Sequence, residues 1–415
     1  MHRKTRRTAV HLAFFLTIFA LLILCNRPPS EKRSFPWTRI RYKSPSSASQ
    51  SRSHSTKPST PFPDEYGICP GLTPSLQKPI LVVSHIASDG DTTWLTNSDL
   101  AQKYHLCIYN VDDPIPTSFS SKTNLRVPAN RAHESITYLT FLISNYHALP
   151  PTGVTFVHGS RFAWHNDSPD YDNAALLSDL DIHSAIAETG YHNLRCDWSV
   201  GTCGSDALPQ GSLQVGFQAK IAPWDGRVVS DWGLSGALGS VFGLSSRGRG
   251  GRVLGRHDVL RAQCCAQFVV SRDAIYRHGR EEYVALREWL LDGSDSSTAT
   301  SGLNRNSRIL TQAGFSPAAP KDDKVAGRMM SYMWHILFLD ARADGSEEEV
   351  DLEKLNRLAC PTARECYCRL YGRCGLERCR GGSCGVYRVP VGYKVPKGIL
   401  EKAEGVVGVA EGDLK

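Results

Sequence analysis

Residues 78–88 read KPILVVSHIAS. Four aliphatic residues behind a proline, closed by Ser84 and His85, predict a short strand over 80–84. The same punctuation recurs downstream. A helix is expected near 95–103, a strand over 106–110, a helix over 132–147 and a strand over 154–157. In the second helix Ile136, Leu139, Ile143 and Tyr146 follow steps of three and four, and Pro150-Pro151 stops it. Strands separated by helices predict an α/β fold with a mainly parallel sheet covered by helices. Farther on, CCAQFVVSRDAIYRHGREEYVALREWLL (264–291) predicts a strand and then a helix with Tyr283, Leu286 and Leu290 on one side. KVAGRMMSYMWHILFLD (324–340) predicts one last helix aligning Met329, Met333 and Leu337. Two Gly- or Ser-rich stretches, 233–252 and 292–322, are expected to loop out of the 64–358 body.

Charge divides the chain of 415 residues unevenly. Its formal charge is +7, but residues 1–60 hold twelve Lys and Arg against one acid, leaving 7 − 11 = −4 for the rest. The body therefore has no electrostatic footprint for nucleic acid. The basic start, residues 1–8, precedes an uncharged apolar run over 9–25, at the lower limit for a membrane span. A type II signal anchor is expected there, with a cytosolic basic tail; a cleaved signal peptide and secretion are the alternative. Residues 26–63, rich in Ser and Pro, are expected to form a disordered stem.

Thirteen cysteines bear on the compartment. Beyond Cys25 twelve remain, six of them in CPTARECYCRLYGRCGLERCRGGSCG (360–385). Their spacings give no pair of C-x2-C knuckles and no internal histidine, so disulfides are preferred over zinc. Pairing within this Cys-rich tail (359–386) and between Cys196 and Cys203 is expected, in an oxidising lumen of the Golgi or ER. Residues 387–415 form a C-terminal extension.

Several stretches resemble, in order, the fungal family of domain of unknown function 3431. They are ILVVSHIASDGDTTWL, IYNVDDP, VPANRAHESITYLTFLISNYHALPPTGVTFVHGSRFAWHND, GYHNLRCDW, CCAQFVVSRDAIYRHGREEY, AGRMMSYMWHILF and CPTARECYCRLYGRC, covering roughly residues 79–376. The layout is also similar to that of GT-A glycosyltransferases, which implies ligands at the carboxyl ends of parallel strands. That resemblance implies that Asp112 and Asp113 accept from a nucleoside, that Asn130 and Glu134 lie in a turn facing the donor, and that His158 stands where a metal-binding acid is usual. Two positions depart from the pattern. Ala132-His133 replaces Gly-Arg, and Ser331 stands where relatives carry a glutamate, with His335 one turn on as a fallback base.

The stretch TFVHGSRFAWHND (155–167) concentrates chemistry at a strand end. His158 and His165 can act as acid, base or ligand, and Arg161 offers a planar fork to a diphosphate. Asp167, Asp170 and Asp172 supply carboxylates for Mn²⁺ or Mg²⁺. Trp164, Asp197, Trp198 and Gln267 are candidates for the acceptor side. No P-loop, H-E-x-x-H or Ser-His-Asp motif is present. The expected activity is transfer from a nucleotide sugar to a glycan or glycoprotein in the secretory pathway. Two other readings stay open: a non-catalytic, disulfide-stabilised lumenal binding protein, which Ala132, His133 and Ser331 favour, and a metal-dependent hydrolase using His158, His165 and Asp167.

Overall fold

The structure is a computed structural model, described for residues 3–26, 34–44, 64–112, 125–163, 165–168, 171–243, 254–293 and 318–385. In chain order it holds α1 (Arg3–Asn26), β1 (Ser34–Phe35), β2 (Ile80–His85), α2 (Thr93–Thr96), α3 (Leu100–Lys103), β3 (His105–Asn110), β4 (Leu125–Arg126), α4 (Ser135–Ser144) and β5 (Val154–His158). Then follow α5 (Asn173–Asp179), α6 (Ile182–Ile186), β6 (Tyr191–Asn193), α7 (Leu213–Ile221), α8 (Gly226–Phe242), β7 (Phe268–Val270), α9 (Arg272–Ile275) and α10 (Arg280–Asp292). The last elements are α11 (Asp323–Ser331), α12 (Trp334–Phe338), β8 (Val350–Asp351), α13 (Leu352–Ala359) and α14 (Ala363–Tyr371).

Six strands form one sheet in the order β4-β3-β2-β5-β7-β6. β2 pairs in parallel with both β3 and β5, and β3 with β4. Only β7 runs against its neighbours β5 and β6. The expected mixed α/β fold with a mainly parallel sheet is therefore found. Strand β2 explains why both faces are covered. Ile80 and Val82 enter one apolar cluster with Tyr138, Leu142 and Phe156, whereas Leu81 and Val83 enter a second with Leu95, Val157 and Leu176. Alternation with apolar residues at every position demands two buried faces.

Helix α4 fills the first face, with every side chain from Ser135 to Ile143 buried. It begins three residues later than the 132–147 expectation, because Ala132 and His133 have positive φ, 53° and 54°, and cannot belong to a right-handed helix. The 95–103 helix is two short pieces, α2 and α3, and the 324–340 helix is broken at Tyr332 and Met333. Tyr283, Leu286 and Leu290 of α10 are buried as their spacing implied.

The expected loop over 233–252 is overturned in its first half by α8. Asp225 caps this helix, its carboxylate accepting from the Arg227 and Val228 N–H groups, and Gly243 ends it in the left-handed region at φ 68°. Its glycines serve close packing: a Cβ on Gly233 would stand 2.5 Å from Met329 Cε of α11. Residues 294–317 of the second expected loop lie outside the described residues.

The expected stem is also corrected over 34–44. β1 pairs antiparallel with β8, and Trp37 is completely buried, stacked on Phe35 at 4.8 Å. The Ile40 N–H donates to Glu282 at 2.8 Å and the Tyr42 hydroxyl to Asp292 at 2.7 Å. An aromatic-aliphatic pattern as sparse as Phe35, Trp37, Ile40, Tyr42 shows no period by itself; the body supplies its groove.

Among the described residues no helix is long and apolar enough to cross a membrane. The side chains of α1 are described over residues 10–21, where Phe14, Phe15, Leu16 and Phe19 are 60, 66, 59 and 62% exposed.

The cysteine pairing agrees with expectation within the tail, where Cys368–Cys374 and Cys379–Cys384 form, and differs from it elsewhere. Cys196 bonds Cys366 and Cys203 bonds Cys360, so the tail is bolted to the body, and Cys196–Cys203 is not formed. Cys69–Cys107, Cys264–Cys265, Cys368–Cys374 and Cys379–Cys384 complete six disulfides, leaving no cluster thiol for zinc. The physical reason is α14, which brings Cys366 into the second apolar cluster beside Cys196 and Leu194.

Candidate functional site

β2, β3, β5 and β6 run the same way, so His85, Asn110, His158 and Asn193 mark one end of the sheet. β7 starts at that end, Phe268 facing both Phe156 and Asn193. β2 is the first strand of the sheet and has β3 on one side and β5 on the other. This reversal of connection direction opens a crevice at the strand ends, the usual place for ligands in open α/β sheets.

Glu134 and His158 meet in this crevice, with His158 Nδ1 3.6 Å from Glu134 Oε2 and side chains 19 and 11% exposed. His165 stacks on His158 with ring centroids 4.3 Å apart. Burial pushes the Glu134 carboxyl up to about 7 and the His158 imidazole down to about 4, with the Asp89 charge opposing the latter. Burial also holds His165 well below the usual histidine range, aided by His158, Arg195 and His133. The 3.6 Å separation falls within ion-pair distance, yet both groups are moved toward their neutral forms and stand beyond hydrogen-bond reach. Near pH 7 His158 is therefore neutral, while Glu134 is divided between its protonated and ionised forms. His158 Nε2 is buried and has no hydrogen-bond partner among the described residues.

Two loops are locked around the pair. Asp89 accepts from the Ile86 N–H at 3.0 Å and from the Ser160 hydroxyl at 2.5 Å, joining the segments after β2 and β5. Gly159 makes that approach possible, since a Cβ there would lie 2.7 Å from His85 Cα and 2.8 Å from Asp89 Oδ2. On the far side the strained turn before α4 is braced by α11. A Cβ on Gly327 would stand 2.8 Å from the His133 ring and 3.2 Å from the Ala132 carbonyl oxygen. Strain of this kind costs about 1 to 3 kcal/mol per residue and persists where neighbours enforce it.

Asp112 and Asn130 are brought together, the Asn130 amide donating to Asp112 Oδ1 at 3.1 Å while the Ala87 N–H donates to Oδ2 at 2.6 Å. Asp113, Trp164 and Asp170 lie outside the described residues. Asp167 is buried, and its Oδ2 accepts from the Cys196 and Asp197 N–H groups and the Tyr367 hydroxyl at 2.8, 2.9 and 2.9 Å. Its Oδ1 has no partner among the described residues. Burial raises its carboxyl, against the pull of Arg195 and the three donors.

Other expected roles fall away from the crevice chemistry. Arg161 is held by Asp172, Nη2 to Oδ2 at 3.0 Å, and Asp172 also caps α5 through the Ala174 N–H. A carboxylate occupied twice over is a structural group here, not a ligand waiting for an ion. Asp197 accepts from the Ser199 N–H, and the Trp198 indole donates to the Pro361 carbonyl oxygen at 3.1 Å beneath Gly382. Gln267 and His335 are 1 and 2% exposed, inside the protein and not on an acceptor surface. His335 falls to about 3 through burial alone, so it stays neutral. Ser331 donates to the Arg328 carbonyl oxygen at 2.7 Å.

His158, His165 and Asp167 do not converge as an ion site. The group of three ligand-type side chains that does lie close together among the described residues is Cys69, His105 and Cys107, where both sulfurs are disulfide-bonded. The ion site that a metal-dependent hydrolase would need at these three positions is therefore not assembled among the described residues. The segment Ser84 to Asp91 after the first strand is expected on the ligand side, but the contacts of Asp89, Gly159 and Tyr367 are not legible in the sequence. Their partners stand 71, 74 and 200 positions away, and no local pattern encodes such pairs.

The chain matches the family described as Protein of unknown function (DUF3431) over residues 81–369. No curated protein and no solved structure matches it.

Proposed function

This chain belongs to the DUF3431 family, and we propose that it is a glycosyltransferase taking a nucleotide sugar in the crevice at the ends of β2, β3 and β5. The observation that carries the reading is Glu134, a carboxyl held at about 7 beside a neutral His158. A base poised near the working pH suits removal of a proton from an acceptor hydroxyl. In the transfer, that oxygen bonds to the anomeric carbon, the bond from that carbon to the diphosphate oxygen breaks with its electron pair, and the hydroxyl proton passes to Glu134 Oε2. Asp112 with Asn130 forms the nucleoside side, and His158 Nε2 is the donor or acceptor facing the reacting groups. The described carboxylates fit a divalent cation poorly, because Asp112 and Asp172 are already engaged. No step is therefore assigned to Mn²⁺ or Mg²⁺.

Six disulfides support a lumenal setting in the secretory pathway. The exposed apolar side chains of α1 over residues 10–21 support attachment of the chain to a bilayer by that helix, without a span being assigned to it. A second reading, a lumenal protein that binds glycans or nucleotides without turnover, is favoured by Ser331, whose hydroxyl is turned to its own helix.

The test is thermal stabilisation of the full chain by a panel of nucleoside diphosphates and their sugars, followed by turnover of whichever binds. Transfer predicts a selective rise in melting temperature and loss of turnover by 100-fold or more in Glu134→Gln with binding retained. Binding without turnover in the unaltered chain selects the second reading. No stabilisation by any donor overturns both for nucleotide ligands.

A further inference from the structure

Helix α7 turns an apolar stripe outward. Leu213, Phe217 and Ile221, at steps of four, are 58, 65 and 57% exposed, and Trp224 just beyond is 81% exposed. The opposite side of the helix is spoken for, because Val215 is buried and Gly216 lies against Trp232 of α8. Large apolar side chains grouped on one exposed face mark an interaction surface, not a chance of composition.

We infer that this face docks on an anionic lipid bilayer. Three observations select that occupant. Exposed Lys220 and Arg227 flank the stripe, and Asp225, the one acid between residues 207 and 230, is engaged in capping α8. Aromatic and aliphatic residues beside cations are the pattern of helices that lie in the headgroup region. The tether is also short. Only residues 27–33 separate the end of α1 from β1, and eight Cα steps reach at most roughly 27 Å. Finally, the segment that follows β1 and the stripe both meet α8. The Arg41 N–H donates to the Val241 carbonyl oxygen of α8 at 2.8 Å, and α7 packs at Trp232, nine residues earlier and thus about 14 Å along the axis.

The inference rests on α1 anchoring and is tested with the full chain in vesicles of phosphatidylcholine and phosphatidylserine whose acyl chains are brominated. Trp37, Trp289 and Trp334 are fully buried, so lipid quenching of tryptophan emission reports chiefly on exposed rings such as Trp224. The expected result is flotation with the vesicles and quenching that falls by at least half in Trp224→Phe and again in the surface pair Phe217→Gln, Ile221→Gln. Flotation with unchanged quenching in these variants overturns the docking face and leaves the anchor standing. Failure to float overturns the anchor and this face with it. Concentration-dependent dimers with an unquenched Trp224 assign the stripe to a second copy of the chain and overturn the lipid assignment.

Discussion

Glu134 Oε2 and His158 Nδ1 lie 3.6 Å apart, and burial drives the acid up and the base down, so that a neutral imidazole faces a carboxyl that titrates near neutrality. Their contributions to stability oppose one another with pH. The native Glu134 keeps its proton to about 7, whereas its ordinary value is 4.5. Between those values the native state binds more protons than the unfolded chain, so stability falls as pH rises. His158 titrates near 4 against an ordinary 6.5, binds fewer protons when folded, and gives stability that rises over that window. Glu134→Gln removes the falling limb and is expected to be more stable than the unaltered protein at pH 8, by about 1 to 3 kcal/mol. His158→Asn should expose the fall. Urea melts from pH 4 to 8 decide it: parallel profiles for all three proteins would mean the pair does not titrate in this range.

Asp167 joins the crevice to the Cys-rich helix α14 through Tyr367. Removing a buried acceptor of three hydrogen bonds strands its donors, so Asp167→Ala should lose about 3 kcal/mol or more. Tyr367→Phe takes away one donor and should cost about 1 to 2 kcal/mol. Denaturation midpoints measure both. Equal losses would show that the Tyr367 hydroxyl dominates and the two backbone contacts contribute little.

Gly159 is placed against the His85 backbone, where no flexible side-chain tip can give way. Gly159→Ala is expected to destabilise by about 1 to 3 kcal/mol and to weaken binding of any crevice ligand, because Asp89 must move. A variant of unaltered stability and affinity would place the two loops farther apart than described.

Non-reducing peptide maps should join Cys196 to Cys366 and Cys203 to Cys360. Replacing Cys203 and Cys360 together by serine opens a loop of 157 residues and should cost roughly 2 to 5 kcal/mol. A peptide linking Cys196 to Cys203 would contradict the fold of the tail.

The sequence by itself determined the alternation. Apolar runs at 80–84, 106–110 and 154–157 can satisfy themselves only as strands, and Ile136, Leu139 and Ile143 only on a helix, because each period is set by local backbone geometry. It also placed His158 at a strand end and His165 in the loop that follows, whereas Glu134 comes to the site only through the resemblance to the GT-A layout. What the tertiary structure decided is everything fixed by partners distant in the chain. Trp37 joins the core beside the β1–β8 pairing, stacked on Phe35, and α8 carries Gly233 where Met329 leaves no room for a Cβ. The cysteine partners of 196 and 203 follow from where α14 docks. The charge states of Glu134 and His158 belong to this second class as well. A carboxyl or imidazole takes its proton affinity from the water it loses, and only the packed chain says how much water remains.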